Sequence, residues 1–155
     1  VPTSMGARAH GLAYAGTCLA DEWAMFNNIG ALAKVETTIA SFAYDSRPAL
    51  TAADRMAFVM VKKFSHGVGG LGVFKFGDDV YSEHVISTGY SNTYGIASLG
   101  ARVNYIQYHV QGFGTKGVAS IDVGGLAQLT PQLLIGAYLT NLNQPVLARG
   151  GGEKE

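Results

Sequence analysis

The sequence is poor in charge. Asp, Glu, Lys and Arg make up 14% of its 155 residues, against roughly 25% in typical soluble domains. Eleven basic residues balance eleven acidic ones. That balance leaves no basic footprint for nucleic acid and no polybasic anchor for a membrane surface. A single cysteine, Cys18, excludes an intrachain disulfide. Ala15-Gly16-Thr17-Cys18 is a poor lipid-attachment box, because Thr17 fits badly before the cysteine and no charged, apolar leader precedes it. The thiol reads instead as a small apolar residue. Apolar residues reach 48%, yet no run of about 18 of them occurs, which excludes a transmembrane helix. Val1-Pro2-Thr3-Ser4 reads as a mature or trimmed start and not as a signal peptide.

What the chain has in excess is glycine, 21 residues of 155, about twice the usual share of roughly 7%. The length suits one domain with a real core. Low charge, high glycine and no long apolar run fit a β-barrel whose outer face meets lipid. They fit a compact soluble β protein as well.

Residues 5–34 differ from the rest. Met5 to Gly11 is small and glycine-punctuated, and Asp21-Glu22-Trp23-Ala24-Met25-Phe26 reads as a short helix with acids in its first turn. Asn27-Asn28-Ile29-Gly30 is expected to end it through a left-handed cap. From about Glu36 the chain becomes a series of seven β segments, 36–44, 55–63, 68–76, 80–90, 95–110, 117–128 and 132–142. Turn residues separate them, at Asp45-Ser46-Arg47-Pro48, Ser65-His66-Gly67, Gly77-Asp78-Asp79, Ser91-Asn92, Gly112-Phe113-Gly114 and Thr130-Pro131. Most segments have the 9 to 12 residues that a strand needs to cross a bilayer at a tilt, where soluble strands average about 5 or 6.

Alternation is clearest in the second half. Ala97, Leu99, Ala101, Val103 and Tyr105 share one face, with Ser98, Gly100, Arg102 and Asn104 on the other. Ala119, Ile121 and Val123 oppose Ser120, Asp122 and Gly124, and Ile135, Ala137 and Leu139 oppose Gly136, Tyr138 and Thr140. A soluble sandwich would bury the apolar face, whereas a membrane barrel would turn it to lipid and line its lumen with the polar one. Periodicity does not separate the two. The polar faces are rich in Gly, Ser, Asn and Thr and poor in Lys and Glu, which favours a crowded small lumen. Trp23, Tyr81, Tyr90, Tyr94, Tyr105 and Tyr108 fall near segment ends, as an aromatic girdle or ordinary strand propensity would have them.

Few residues carry chemistry. Gly67-Val68-Gly69-Gly70-Leu71-Gly72 matches a dinucleotide fingerprint literally, but a strand follows it where a helix is needed. Glycines in a closely packed strand are the better reading. His10, His66, His84 and His109 show no helical metal spacing, and there is no second cysteine to help them. No metal, cofactor or catalytic residue is expected. One constellation has geometry. Arg102 and Asp122 lie on the polar faces of consecutive strands, and a hairpin folded about Gly112 sets positions summing to about 224 opposite each other. An ion pair lining the lumen follows, since charges withdrawn from water are held by pairing.

Two stretches carry a family resemblance. Gly6-Ala7-Arg8-Ala9 with Gly11, then Ala15-Gly16, Leu19-Ala20-Asp21-Glu22 and Phe26-Asn27-Asn28-Ile29-Gly30-Ala31-Leu32-Ala33 resemble the mature start of FadL-like outer-membrane proteins, in their PorV/PorQ branch. Ile121-Asp122-Val123-Gly124-Gly125-Leu126, Leu129-Thr130-Pro131, Leu134-Ile135-Gly136-Ala137 and Asn141-Leu142 resemble a hairpin near that family's middle. The chain departs from the pattern at Asn27-Asn28-Ile29, where the family has Asn-Pro-Ala, and at Ala13-Tyr14, where it has a glycine pair. The resemblance implies an all-β, antiparallel transmembrane barrel of about eight or more strands, with a short N-terminal helical plug in residues 1–35 and barrel strands in 36–155. The plug residues would be Arg8, Asp21, Trp23, Phe26, Asn27, Asn28 and Gly30. It implies a bacterial outer-membrane location and no enzymatic activity. The implied role is accessory to type IX protein secretion or to surface attachment of exported proteins. The lipid bilayer and other outer-membrane or secretion-system proteins would be its partners, and nucleic acid would not. FadL-like transport of small hydrophobic molecules and a soluble β-barrel binding module are the alternatives. Seven strands are an odd number, and Gly150-Gly151-Gly152-Glu153-Lys154-Glu155 reads as a loop. Further strands or a partner are therefore expected to complete the sheet.

Overall fold

The computed structural model describes residues 3–47, 53–112 and 114–143. The expected turn residue Pro48, the Phe113 of the Gly112 turn and the glycine-rich tail lie outside the described residues. Seven strands form one antiparallel sheet in sequence order: β1 (Ile39–Asp45), β2 (Arg55–Phe64), β3 (Gly67–Gly77), β4 (Tyr81–Tyr94), β5 (Ala97–Val110), β6 (Gly114–Thr130) and β7 (Leu133–Leu139). Within the described residues the sheet does not close, since β1 pairs only with β2 and β7 only with β6. Among the described residues no helix is long and apolar enough to cross a membrane.

The N-terminal segment packs on one face of this sheet. It holds α1 (Ala7–Gly11), α2 (Ala24–Asn27) and a 3-10 helix (Ile29–Lys34). Met25, Phe26, Ile29, Ala31 and Leu32 form the core with Val59, Val61, Val68, Phe74, Val85 and Leu126 from the strands. The expected helix over 21–26 is shorter and shifted. Asn28 does not cap it in a left-handed conformation. Its backbone is extended, with φ −154°, and its side chain accepts a hydrogen bond from the N–H of Gly30 at 3.1 Å. It is thus the N-cap of the next helix, the role short polar acceptors fill best.

The strand edges also correct the sequence reading. Ser91-Asn92 is no turn: β4 runs on to Tyr94 and the reversal is at Gly95-Ile96. The last strand stops at Leu139, short of 142, because Asn141 takes a left-handed φ of 61°. The chain nonetheless stays on β6, with the Asn143 side chain accepting from Ile121 N–H and donating to the Ala119 carbonyl, as a strand backbone would.

The outer face of the sheet is apolar on every strand, and over β4 to β6 the covered face is polar, the inverse of a soluble sandwich. The face away from the N-terminal segment carries Phe42, Phe58, Leu71, Ile86, Val103, Ile121 and Ile135, one from each strand and all exposed. The covered face buries Ser87, Ser91, Ser98, Arg102, Asn104, Ser120 and Asp122. The aromatics divide the same way. Tyr90, Tyr94 and Tyr105 lie exposed on the outer face, while Trp23 is buried in the core and Tyr81 and Tyr108 turn inward. The six residues therefore do not form one girdle.

Candidate functional site

Inward-facing residues of β3 to β7 make the seat for the N-terminal segment. Glycines open it. A Cβ at Gly72 would meet Phe26 Cζ at 2.5 Å, one at Gly70 would meet Met25 Sδ at 3.0 Å, and one at Gly89 would meet Ile29 Cδ1 at 2.8 Å. At Gly100 it would strike the Ile29 carbonyl at 2.7 Å, and at Gly124 the Asn28 Oδ1 at 2.1 Å. The register joins these positions into a band, with Gly70 opposite Gly89 and Gly100 opposite Gly124. Gly70 and Gly72 of the literal dinucleotide motif are thus part of a packing surface that admits apolar side chains.

A buried polar network pins the segment beside that band. Hairpin β5–β6 pairs Arg102 with Asp122. The Asp122 Oδ2 accepts from Arg102 Nε at 3.1 Å, from Arg102 Nη2 at 2.5 Å and from Asn104 Nδ2 at 2.7 Å. Asn104 also donates to Ser120 Oγ at 3.1 Å and accepts from Ser87 Oγ at 2.7 Å. The free Arg102 Nη1 donates to the Met25 carbonyl in α2, one of the last-turn acceptors a helix leaves without a partner. Arg102 and Asp122 are each 6% exposed, deep enough that each charge depends on the other. Among the described residues no buried side-chain nitrogen or oxygen lacks a partner.

The sequence-singled residues divide into three groups. Asn28 Nδ2 donates to the carbonyls of Thr17 at 2.8 Å and Gly125 at 3.0 Å, tying the segment to β6. Gly30 abuts the β6 backbone, and its carbonyl accepts from Ser91 Oγ at 3.2 Å. Trp23 stacks on Phe26, which meets Phe74 with ring centres 6.4 Å apart. Asn27 bonds both main-chain groups of Met5 within the segment itself. Arg8 reaches Asp21 at 3.4 Å from an exposed position, far from the buried network.

Sequence reasoning missed the rest. Asn104 opposite Ser120 obeys the same sum of 224 and was within reach. Ser87 was not, because the misplaced turn at Ser91-Asn92 hid the β4–β5 register. A second cluster went unseen as well. Arg55 pairs with Asp45, bonds the Tyr14 hydroxyl and lies 5.5 Å from the Tyr14 ring centre. Ala13 and Tyr14, which stand where the resembled pattern has glycines, take φ of 50° and 65°. Left-handed backbone costs an L-residue roughly 1–2 kcal/mol, and at Tyr14 the Arg55 contacts offset it.

No family model matches the chain, and no curated protein or solved structure does. Among the described residues no three His, Cys, Asp or Glu come together as a metal site. The arrangement can hold a segment in place.

Asp21 supplies a pH test of the N-terminal segment. Burial raises its carboxyl above the ordinary 3.8, the neighbouring Glu22 adds to this, and Arg8 and the Trp23 N–H oppose it. A carboxyl whose folded pKa is raised stabilises the fold most when protonated. That contribution is lost as pH rises from below 3.8 through the raised value. Asp21→Asn keeps the acceptor for Trp23 N–H and removes the charge. Its thermal midpoint should exceed that of the parent at neutral pH and converge with it at pH 3, as melting curves across that range would show.

Proposed function

We propose that this chain is a non-enzymatic outer-membrane β-barrel protein of the FadL-like type, PorV/PorQ branch. Its role is accessory to type IX secretion or to surface attachment of exported proteins. The membrane part rests on one observation, the inverted polarity of the sheet. Phe42 is 66% exposed and Leu99 57%, while Arg102 and Asp122 are 6% exposed on the opposite face. In water this would leave a large apolar wall wet; in lipid it is the expected arrangement. Strands of 14, 14 and 17 residues in β4, β5 and β6 exceed the roughly 9–11 that span a bilayer. In a bilayer each unpaired backbone group at the β1 and β7 edges would cost several kcal/mol. Further strands or another protein would therefore complete the barrel. The branch rests on the sequence resemblance. The segment seated on the inward face supports an accessory role over a hydrophobic-molecule channel, because it covers the face that would line such a channel.

Extraction in mild detergent tests the reading. The protein should require detergent and bring other outer-membrane or secretion proteins with it. Release into buffer alone would end the membrane reading, and copurified lipid-like molecules without protein would favour transport. A substitution gives a second check. Val103 lies at the middle of β5 on the outer face. Val103→Arg should destabilise the detergent- or vesicle-folded protein by about 2–4 kcal/mol, the cost of a cation at the bilayer midplane. Urea titration in vesicles measures it.

A further inference from the structure

The outer face has two troughs, and the register explains them. Lys62, Gly69, Tyr90, Ala101 and Val123 stand opposite one another on successive strands β2 to β6. The small residues Gly69 and Ala101 flank Tyr90, so its side chain is a ridge between two depressions. One, of about 320 Å³, is walled by Met60, Lys62, Phe64, Leu71 and Tyr90. The other, of about 690 Å³, is walled by Tyr90, Tyr94, Leu99, Ala101 and Val123. The ridge is fixed: Tyr90 Oη donates to the His66 carbonyl at 2.7 Å, and the ring lies over Gly67, where a Cβ would meet Tyr90 Oη at 2.3 Å. Neighbouring strands are about 4.8 Å apart, so Gly69 on β3 and Ala101 on β5 are separated by about 10 Å, with β4 between them.

The same end of the sheet carries the short turns. Ser65-His66, Gly95-Ile96 and Pro131-Gln132 are two-residue connections, whereas residues 46–54, 78–80 and 111–113 join the strands at the other end. Outer-membrane barrels keep their short turns on the periplasmic side, where the leaflet is phospholipid and not lipid A. Lys62 is exposed near the Ser65-His66 turn, its Nζ 5.6 Å from the Phe64 ring centre. A cation and aromatic rings on the wall of an apolar trough near a turn suit the headgroup level of a bilayer.

We infer that this face binds an anionic diacyl phospholipid of the periplasmic leaflet, one acyl chain on each side of Tyr90 and the headgroup phosphate at Lys62. The inference rests on the membrane reading and adds a specific lipid to it. Charge complementarity at Lys62 and the paired troughs favour this occupant over bulk lipid. The test folds the chain, together with the strands or partner that complete its sheet, into phosphatidylcholine vesicles and transfers it to detergent with phosphatidylglycerol, phosphatidylcholine or lipid A. Retained lipid is then counted by native mass spectrometry. Phosphatidylglycerol should be retained over phosphatidylcholine, and Lys62→Gln should cut that preference about fivefold, the contribution of one lysine near an anionic surface. Ala101→Phe, which fills the larger trough, should reduce retention of both phospholipids. Insertion without headgroup preference would overturn the lipid site and leave the membrane reading standing. Stronger retention of lipid A would overturn the leaflet assignment and with it the site. Failure to insert, read by protease digestion of the strands, would overturn both.

Discussion

Asp122→Ala should destabilise the protein by about 3–5 kcal/mol, the cost of leaving a buried charge without its partner. The removed carboxylate serves four donors. Its Oδ2 takes Arg102 and Asn104, and its Oδ1 takes the Asn141 N–H at 2.8 Å. Arg102 would keep only its bond to the Met25 carbonyl, and Asn104 would keep Ser120 and Ser87. A double variant, Arg102→Met with Asp122→Leu, should cost less than the single one, because apolar side chains of similar volume need no partner. Urea unfolding of the detergent-folded protein compares the three. A single-variant loss below about 1 kcal/mol would mean that water reaches the pair and screens it.

Gly30→Ala should be the most damaging methyl addition within the N-terminal helices. Its Cβ would stand 2.5 Å from Gly124 C, Gly125 Cα and Gly125 N. Those are backbone atoms of a paired strand, and they cannot swing aside as the end of a side chain can. The segment must lift, which puts the cost at the upper end of overpacking, about 3 kcal/mol. Gly11→Ala is the control, with nothing within 4 Å of its Cβ. It should be neutral or slightly stabilising, since alanine loses less entropy than glycine in a helix. Hydrogen exchange gives the second readout. Amides of residues 24–34 should exchange much faster in Gly30→Ala, while β4 and β5 keep their protection. Equal exchange in variant and parent would show that the seat tolerates the methyl group.

The ion pair was legible because two periodicities of the chain agree. Alternation sets Arg102 and Asp122 on one face, and a turn near Gly112 sets their register; no distant part of the chain is needed for either. The strands were legible for the same reason, and their ends less so. Ser91-Asn92 has turn chemistry, yet Ser91 is buried because its hydroxyl reaches the Gly30 carbonyl, a contact 61 residues away in sequence. Tertiary bonding there overrides local preference.

Which face of the sheet is covered was decided only in three dimensions. Alternation is the same whether apolar residues point in or out, and the choice depends on where the N-terminal segment lies. That segment has no regular period: α2 is four residues long, too short to nucleate alone. Its position comes from contacts along most of the chain, Asn28 on Gly125, Met25 on Arg102 and Phe26 over Gly72. Composition registered the glycines as an excess, and only those of Gly67 to Gly72 read as close packing in a strand. Their purpose is spatial, since a missing Cβ matters only where another backbone or ring comes within about 3 Å, and no property of the linear sequence specifies that approach.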